Sequence, residues 1–344
     1  MKKKYLLYLL ICLTFMNTSC GNGGKSTAEA RDTIHIPENL VSDTLRKLNE
    51  QINADPDNAD LLHARAIYYL NQKEYENSFK DLMQVLNVDS SKAPYYITLS
   101  DIYFYTNKTG SSKRALEKAV ELDAKNMDAL LKLAELYLYV QKNDKSIEYI
   151  NKALKIDQYN AKAYFMKGMN YKDMKDTARA LSSMQTAVEQ DKSYYHAYMQ
   201  LGILTAARKN PISIQYYKNA IRIQPNSTEA WYAIGKFYQD MGDWENAINT
   251  YNALVTSGNQ SKYANYNLGV IHLMNLKKYQ QAADYFSAAI KTDPNYTEAY
   301  FSRGVTLQTI GNTDQAINDY QQCLHINPDY EPAKRELKLL NKLK

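Results

Sequence analysis

Apolar and polar positions follow the period of an α-helix along most of this 344-residue chain. From Asn160 onward, for example, Tyr164, Gly168 and Tyr171 fall on one face of a helix, at the spacing i, i+4, i+7. Prolines, which cannot continue a helix, mark the ends of several such segments: Pro225, Pro294 and Pro328. The pattern predicts an all-α chain of short helices joined by tight turns.

A different pattern opens the chain. Lys2 to Lys4 precede an apolar run from Tyr5 to Met16, and small polar residues follow it. A basic start, an apolar core of about 12 residues and a small-residue cleavage site are typical of a secretory signal. The run is shorter than the roughly 20 apolar residues that a bilayer-spanning helix needs. We therefore predict a signal peptide over residues 1–19.

The stretch TSCGNGGKST, residues 18–27, supports two interpretations. Its end, Gly24-Lys25-Ser26, is similar to the end of a phosphate-binding P-loop. The first glycine of that motif would fall on Ser19, however, and no strand precedes it. The other interpretation is a bacterial lipid-attachment site at Cys20, which follows small residues at the end of the apolar run. Asn17 departs from that motif, because its place usually holds Leu.

Ordinary cleavage that leaves Cys20 unmodified is the remaining alternative. It is disfavoured because Cys12 lies in the signal and Cys323 lies in a helical pattern, so Cys20 has no plausible disulfide partner. We predict that Cys20 is lipidated. Residues 20–37 have the Gly/Ser/Thr composition of a flexible tether.

Segments starting at Asn160, Ser227 and Tyr296 repeat one another. Each contains Ala, two aromatic residues and a glycine three positions later, followed by an Ala and apolar residues at helical spacing. In the segment from Ser227, five residues occupy signature positions of the tetratricopeptide repeat (TPR), a 34-residue helix–turn–helix unit that this chain resembles: Trp231, Gly235, Tyr238, Ala247 and Tyr251. We count eight repeats: 59–92, 93–126, 127–160, 161–194, 195–227, 228–261, 262–296 and 297–330.

The resemblance implies a right-handed α-solenoid of eight repeats. Residues 38–58 are then an N-terminal capping helix, and residues 331–344 are a C-terminal capping helix with a stripe of Leu337, Leu340 and Leu343. Small residues recur where two helices approach closely: Gly168, Gly202, Gly235, Gly269 and Gly304 in first helices, and Ala180, Ala247, Ala282 and Ala316 in second helices. Cys323 occupies a similar place and is interpreted as a buried apolar side chain.

No catalytic or metal-binding constellation is found in the sequence. The histidines are scattered and form no H-x-x-x-H pair: His35, His63, His196, His272 and His325. No G-x-S-x-G elbow or similar nucleophile motif is present. We predict a protein that is not an enzyme and has no metal, cofactor or small-molecule substrate. Loss of the three signal lysines takes the formal net charge from +5 to +2, which gives no reason to expect a nucleic-acid partner.

The TPR resemblance implies that part of each first helix faces a concave groove. Apolar residues, many of them Met or aromatic, occupy those positions: Ile97, Phe104, Tyr105, Leu131, Leu138, Tyr139, Phe165, Met166, Met169, Met199, Ile203, Tyr232, Tyr266, Val270, Leu273, Met274 and Phe301. Open apolar surfaces of this kind mark interaction sites, so we predict a protein or peptide partner there. The alternative is that these residues pack against neighbouring repeats or against the tether. TPR proteins that clamp a carboxylate have Lys and Asn at such positions, where this chain has Phe165, Met169 and Gln200.

Two smaller features give weaker hypotheses. The sixth repeat ends without proline and has Gly258 where an acidic residue is usual, which predicts a hinge near residues 255–262, unless the turn is rigid. Asp-Thr-apolar stretches at Thr33 and Thr44, and another starting at Asp176, are similar to a bacterial O-glycosylation motif.

A lipid-anchored TPR solenoid resembles the adaptors of the bacterial cell envelope. The preferred hypothesis is a scaffold that captures protein or peptide partners in its groove, on an outer membrane and facing the periplasm. The alternative is a fixed structural subunit of an envelope machine, bound through convex faces or chain ends. A third possibility, the regulatory arm of an enzyme, requires chemistry from another chain.

Overall fold

A computed structural model of the chain describes residues 38–256 and 261–343. The predicted signal peptide, the tether with Cys20 and Thr33, and the predicted hinge residue Gly258 all lie outside these ranges. The described ranges contain helices and no strand. Their helices are α1 Glu38–Ala54, α2 Ala59–Asn71, α3 Tyr75–Val88, α4 Ala93–Tyr105, α5 Thr109–Leu122, α6 Met127–Tyr139, α7 Asn143–Ile156, α8 Ala161–Asp173, α9 Thr177–Gln190, α10 Tyr195–Ala206, α11 Ile212–Ile223, α12 Thr228–Asp240, α13 Trp244–Thr256, α14 Lys262–Val270, α15 Tyr279–Thr292, α16 Thr297–Thr309, α17 Thr313–Ile326 and α18 Glu331–Leu343.

Consecutive helices pair into helix–turn–helix repeats. Repeat 1 consists of α2 and α3, and each following pair up to α16 and α17 forms the next repeat, with α1 and α18 flanking the series. Two compact units result, one ending at Ser183 and one beginning at Met184, both within α9. The predicted all-α fold of eight repeats with a flanking helix at either end is confirmed. None of the helices in the described ranges combines the length and the apolar content required to cross a bilayer.

In repeats 1, 3 and 5 to 8, a small residue of the first helix faces a large residue of the second helix. In repeats 5 to 8 the small residue is glycine and the large one is a buried ring: Gly202 with Tyr217, Gly235 with Tyr251, Gly269 with Phe286, and Gly304 with Tyr320. A Cβ atom on any of these glycines would lie 2.4–2.7 Å from a ring carbon. The backbone of the first helix therefore rests directly on the ring, as the recurrence of small residues predicts.

The earlier repeats use a different size combination at the same two positions. Repeat 1 has Ala66 with Leu82, and repeat 3 has Ala134 with Ile150, all fully buried. A methyl group on the first helix is thus matched by an aliphatic side chain on the second. The two positions keep a combined volume that fills the space between the helices.

Polar side chains fix the entry into many of the first helices. Asn58, Asn126 and Asn160 each accept a hydrogen bond from the backbone N–H three residues later, at 2.9–3.1 Å. Ser227 and Ser261 do the same in repeats 6 and 7. Such N-caps satisfy a backbone donor that the helix itself leaves unpaired.

The first and last repeats each contain a bidentate ion pair between their two helices. Arg65 donates to both carboxylate oxygens of Asp81 at 2.7 Å, and Arg303 donates to Asp319 at 2.7 and 2.8 Å. Both carboxylates are buried. Each guanidinium also donates to a residue of the preceding helix, Asn49 for Arg65 and Ser287 for Arg303. One arginine therefore joins three helices at each end of the series.

Repeat 5 is one residue shorter than 34 and repeat 7 is one residue longer, and these two departures have separate structural causes. In repeat 5, Pro211 precedes α11, which has 12 residues, whereas the second helices of repeats 1 to 4 have 14. In repeat 7 the extra residue lies in the first helix, where Ile271–Asn275 form a π-helical turn and Leu276 N–H donates to the carbonyl of Ile271 at 3.1 Å. The insertion therefore lies after α14 rather than beside the predicted hinge.

We predict that Gly269→Ala lowers the free energy of unfolding by about 1–3 kcal/mol, because its new methyl group overlaps the ring of Phe286. Adding Phe286→Leu gives the Ala–Leu combination of repeat 1, so the double variant should lose less stability than the sum of the two single changes. Urea unfolding followed by circular dichroism measures this coupling.

The control is Gly110→Ala in α5, where no atom lies within 4 Å of the new methyl group. We expect this variant to be at least as stable as the wild type. Strictly additive effects of Gly269→Ala and Phe286→Leu would contradict the proposed size matching.

Candidate partner-binding surface

In the first unit, aromatic and methionine side chains of three first helices remain partly accessible. They are Phe104 and Tyr105 on α4, Tyr139 on α6, and Phe165 and Met169 on α8, which we call the unit 1 surface. Tyr105 is 44% exposed, the largest value in this set. The Phe104 ring meets Tyr139 edge-on with centroids 5.7 Å apart, and Tyr105 stacks on Tyr75 of α3 at 5.7 Å. These contacts hold the rings in place while one side of Tyr105 faces outward.

A pocket opens between α4 and α6 within this surface. Its walls are Ser100, Asp101, Phe104, Tyr105, Ser112, Leu116, Lys132, Glu135, Leu136 and Tyr139. Lys132 donates to both oxygens of Asp101 at 2.7 and 2.8 Å, and the Glu135 carboxylate lies 3.9 Å from the ammonium group of Lys162, so each charge on the wall has a partner of opposite sign. A pocket lined by aromatic rings with one neutralised ion pair suits an apolar side chain of a partner.

In the second unit, rings from several first helices meet in series. Tyr232 contacts Tyr263 at a centroid distance of 6.1 Å, Tyr263 contacts Tyr296 at 6.0 Å, and Tyr296 contacts Tyr266 at 5.2 Å. Phe301 meets Tyr330 at 5.6 Å. Together these six residues form the unit 2 rings.

One charged side chain accompanies the unit 2 rings. The ammonium group of Lys262 lies 5.0 and 5.1 Å from the ring centroids of Tyr263 and Tyr296 and donates to Asp293. This hydrogen bond holds the pKa of Asp293 below its ordinary value. The lysine is thus neutralised by Asp293 and adds cation–π contacts to two rings.

The structure corrects part of the predicted groove. Leu131 and Met199 are only 6% and 3% exposed. Leu131 packs with Leu130, Ala134 and Ile150, and Met199 packs with Tyr195, Tyr217 and Ile234. Ile97, Leu138 and Met166 are buried as well. For these five residues the alternative interpretation holds, because they fill the space between neighbouring helices.

The remaining predicted residues are accessible at least in part. Ile203 on α10 is exposed, and Val270 and Leu273 are half-buried. Met274 in the π-helical turn is the most exposed large apolar side chain of the described ranges, at 69%. Thr44 lies on α1 and is exposed. Cys323 is fully buried, and burial raises the pKa of its thiol to about 12, which agrees with its interpretation as a packing residue.

Sequence reasoning missed Tyr263, Tyr296 and Tyr330. Tyr296 occupies the N-cap position of α16, where five other repeats have Asn or Ser and repeats 2 and 5 have Lys92 and Tyr194, and its side chain makes no capping hydrogen bond. Tyr330 directly precedes α18 at the corresponding place. For Tyr296 and Tyr330, a large ring at a place where Asn or Ser often supplies a cap worth about 1 kcal/mol is a signal that could have drawn attention to them, although Tyr194 of repeat 5 shares it. No such signal marks Tyr263, which lies within α14.

The fold and the surface together define a scaffold built for protein–protein interaction. The tetratricopeptide repeat family matches residues 93–126, 128–160, 161–194, 232–297 and 297–330, which is more than half of the chain. The chain belongs to the tetratricopeptide repeat family.

Curated relatives match short parts of the chain. A "DnaJ protein P58IPK homolog" of Arabidopsis thaliana is 35% identical over 69 residues, which are 20% of this chain and 14% of that protein. "Tetratricopeptide repeat protein 6" of Homo sapiens is 34% identical over 62 residues, 17% of this chain and 12% of that protein. The chain therefore spans only a small part of the length of these relatives.

Solved structures show the same fold. The C-terminal part of a TPR repeat-containing protein of Cytophaga hutchinsonii superposes with a TM-score of 0.53 at 17% identity, covering 66% of this chain and 93% of that fragment. PilF of Pseudomonas aeruginosa superposes with a TM-score of 0.52 at 14% identity, covering 58% and 90%. A tetratricopeptide repeat protein of Parabacteroides merdae gives 0.50 at 16% identity, covering 73% and 99%.

A histidine in repeat 1 makes the stability of this end dependent on pH. His63 lies on α2, at the position that Ile97 occupies in the next repeat. Its Nε2 is 2.8 Å from the hydroxyl oxygen of Thr98, and its ring centroid is 4.8 Å from that of Tyr95. Burial lowers the pKa of His63 below its ordinary value. The unfolded chain therefore binds a proton at this residue more readily than the folded chain as the pH falls below about 6.5.

We predict that the free energy of unfolding falls between pH 7 and pH 5, and that His63→Gln makes this fall smaller. The stabilising contribution of neutral His63 is complete above the unfolded pKa and is lost as the pH decreases through the folded pKa. Denaturant unfolding of both proteins at several pH values measures the two slopes. Identical slopes would contradict this assignment.

Proposed function

We propose that this protein is a non-enzymatic scaffold of the bacterial cell envelope that captures protein or peptide partners on the first helices of its repeats. The observation that carries the proposal is the pocket walled by Phe104, Tyr105 and Tyr139, whose side chains all remain at least partly accessible. The unit 2 rings support it, since two of their tyrosines occupy places where a capping residue is usual.

The energies involved are adequate for specific binding. Covering ~300 Å² of apolar surface contributes on the order of 7 kcal/mol before the costs of association, at about 25 cal/mol per Å². Ordering a flexible partner reduces this gain. Rings that are held by their neighbours, such as Tyr105 on Tyr75, lose little freedom on binding.

We further propose that a lipid on Cys20 attaches the scaffold to the outer membrane, with the repeats in the periplasm. The support is the sequence pattern of residues 1–20, in which a basic start and an apolar run lead to small residues and a cysteine. Residues 21–37 would then act as the tether between the lipid and α1.

A second candidate function is a fixed structural subunit of an envelope machine. The observation in its favour is apolar exposure at the turn between α7 and α8, away from the unit 1 surface. Ile156 is 44% exposed and Tyr159 is 67% exposed at this turn. A permanent interface through this side would leave the first helices free.

To distinguish these functions, we predict that Tyr105→Ser combined with Tyr139→Ser removes partners of the unit 1 surface, and that Tyr263→Ser removes partners of the unit 2 rings. Tyr263 is preferred to Tyr232 because it is 52% exposed, whereas the Tyr232 hydroxyl accepts a hydrogen bond from the buried Asn267. Full-length tagged proteins are crosslinked in cells, captured and analysed by mass spectrometry.

Tyr159→Ser is the matched control, since it removes an exposed tyrosine from the turn between α7 and α8. An adaptor should keep its partners in this variant. Loss of partners only from Tyr159→Ser would support the structural subunit instead. Circular dichroism of each variant checks that the helices are retained.

The anchor is tested separately. We predict that Cys20→Ser abolishes the incorporation of labelled fatty acid and moves the protein from the membrane fraction to the soluble periplasmic fraction. Unchanged labelling of the Cys20→Ser protein would show that lipid is not attached there.

A further inference from the structure

The turn between α12 and α13 carries a second pocket that the proposed function does not use. It is lined by Gly242, Asp243, Trp244, Glu245, Ile248, Asn249 and Leu276. Met241 is 46% exposed beside it, and Leu276, from the turn of the next repeat, is 36% exposed. These residues form what we call the turn patch.

Glycine at position 242 is not explained by backbone conformation alone. Its φ is 75°, but six turns of the described repeats place other residues in this left-handed region: Lys73, Asn107, Gln141, Lys175, Lys209 and Lys277. A side chain on Gly242 would lie next to the Trp244 ring, 3.9 Å from Cζ2 at its Cβ atom. The glycine thus leaves one wall of the pocket without a side chain, beside an accessible tryptophan.

Although repeat 7 contains an additional residue, its Leu276 still lines this pocket. Its first helix has one additional residue, and the π-helical turn at Ile271–Asn275 absorbs it. As a result Leu276 directly precedes Lys277, the left-handed residue of its turn, just as Met241 directly precedes Gly242. Two apolar side chains therefore occur at equivalent places in adjacent turns.

Charges flank the apolar centre of the turn patch with opposite signs. On the α13 side, Glu245 is exposed, while Asp243 accepts hydrogen bonds from the backbone and side chain of Asn246 at 3.2 and 2.7 Å. On the other side, Lys277 and Lys278 follow Leu276 directly and are exposed. Nearby, Asp240 is paired with Lys236.

An acidic side, an apolar centre and a basic side complement the same arrangement after a two-fold rotation. We propose that the turn patch binds a second copy of this chain, with Glu245 of each copy facing Lys277 and Lys278 of the other. The exposed Met241 of one copy then lies over the open pocket beside Trp244 of the other. The contact involves two adjacent turns only, so we expect a reversible dimer. This proposal does not rest on the proposed function.

The test is crosslinking of the full chain in cells that express it, with Met241→Cys and a short bis-maleimide. We expect a product of twice the mass of the uncrosslinked protein in the same sample. Asp329→Cys, at an exposed site before α18, is the control for random collisions and should give much less product. The wild type measures any background from its own cysteines.

Two further changes, made in the Met241→Cys protein, locate the contact. Gly242→Lys places a lysine side chain in the pocket. Four other turns have lysine at the equivalent position, so the repeat should still fold. The amount of dimer should decrease about tenfold because the pocket is filled. Gly311→Lys makes the same substitution in the turn of repeat 8, where no atom lies within 4 Å, and should have no effect.

Charge reversal tests the two-fold arrangement. Glu245→Lys should decrease the dimer about tenfold, and adding Lys277→Glu should restore most of it, because the opposite charges then face each other again. The absence of a dimer, a product of another mass, equal effects of Gly242→Lys and Gly311→Lys, or no recovery in the double reversal would each overturn the proposal.

Discussion

The structure depends on the contact between the two helices of a repeat, where in repeats 1, 3 and 5 to 8 a small residue of the first helix meets a large residue of the second. In repeats 5 to 8 this contact is a glycine backbone on an aromatic ring, at distances that leave no room for a methyl group. The glycine contributes only backbone atoms to this contact. It has no side chain that could change rotamer if the size of the facing residue changed. The separation of the two helices is therefore fixed repeat by repeat, and the placement of the outward-facing side chains follows from it.

Most of the fold could be predicted from the sequence, since the same contact recurs in it. Gly235, Ala247 and Tyr251 identify a repeat because each is required by the packing of two helices, whatever lies outside them. The π-helical turn at Ile271–Asn275 could not be located in this way. A repeat that is one residue longer than 34 reveals that a residue has been inserted. Where the helix accommodates this residue depends on which of its backbone hydrogen bonds cost least to rearrange.

The candidate surface was less predictable. Tyr105 and Tyr139 were identified because they occupy the first-helix positions that face the concave groove in TPR proteins, and both line the unit 1 pocket. Leu131 and Met199 share the same periodicity but are buried, because residues from neighbouring helices close over them. Exposure at these positions is a property of adjacent repeats taken together, whereas periodicity describes one helix at a time. Tyr296 was missed for the opposite reason, since it lies at a helix start, outside the periodic segment.

The arginines of the end repeats have a consequence for how the chain opens. In a series of repeats each unit is stabilised mainly by its neighbours, so a terminal repeat, with a neighbour on one side only, is the first to fray. Arg65 links α2 to α3 and to α1, and Arg303 links α16 to α17 and to α15. If any one of these helices unfolded alone, a buried carboxylate or the guanidinium would be left without a hydrogen-bonding partner. The three helices around each arginine are therefore coupled: α1 to α3 open as one block at one end of the series, and α15 to α17 open as one block after α18, which is not part of the Arg303 network, has detached.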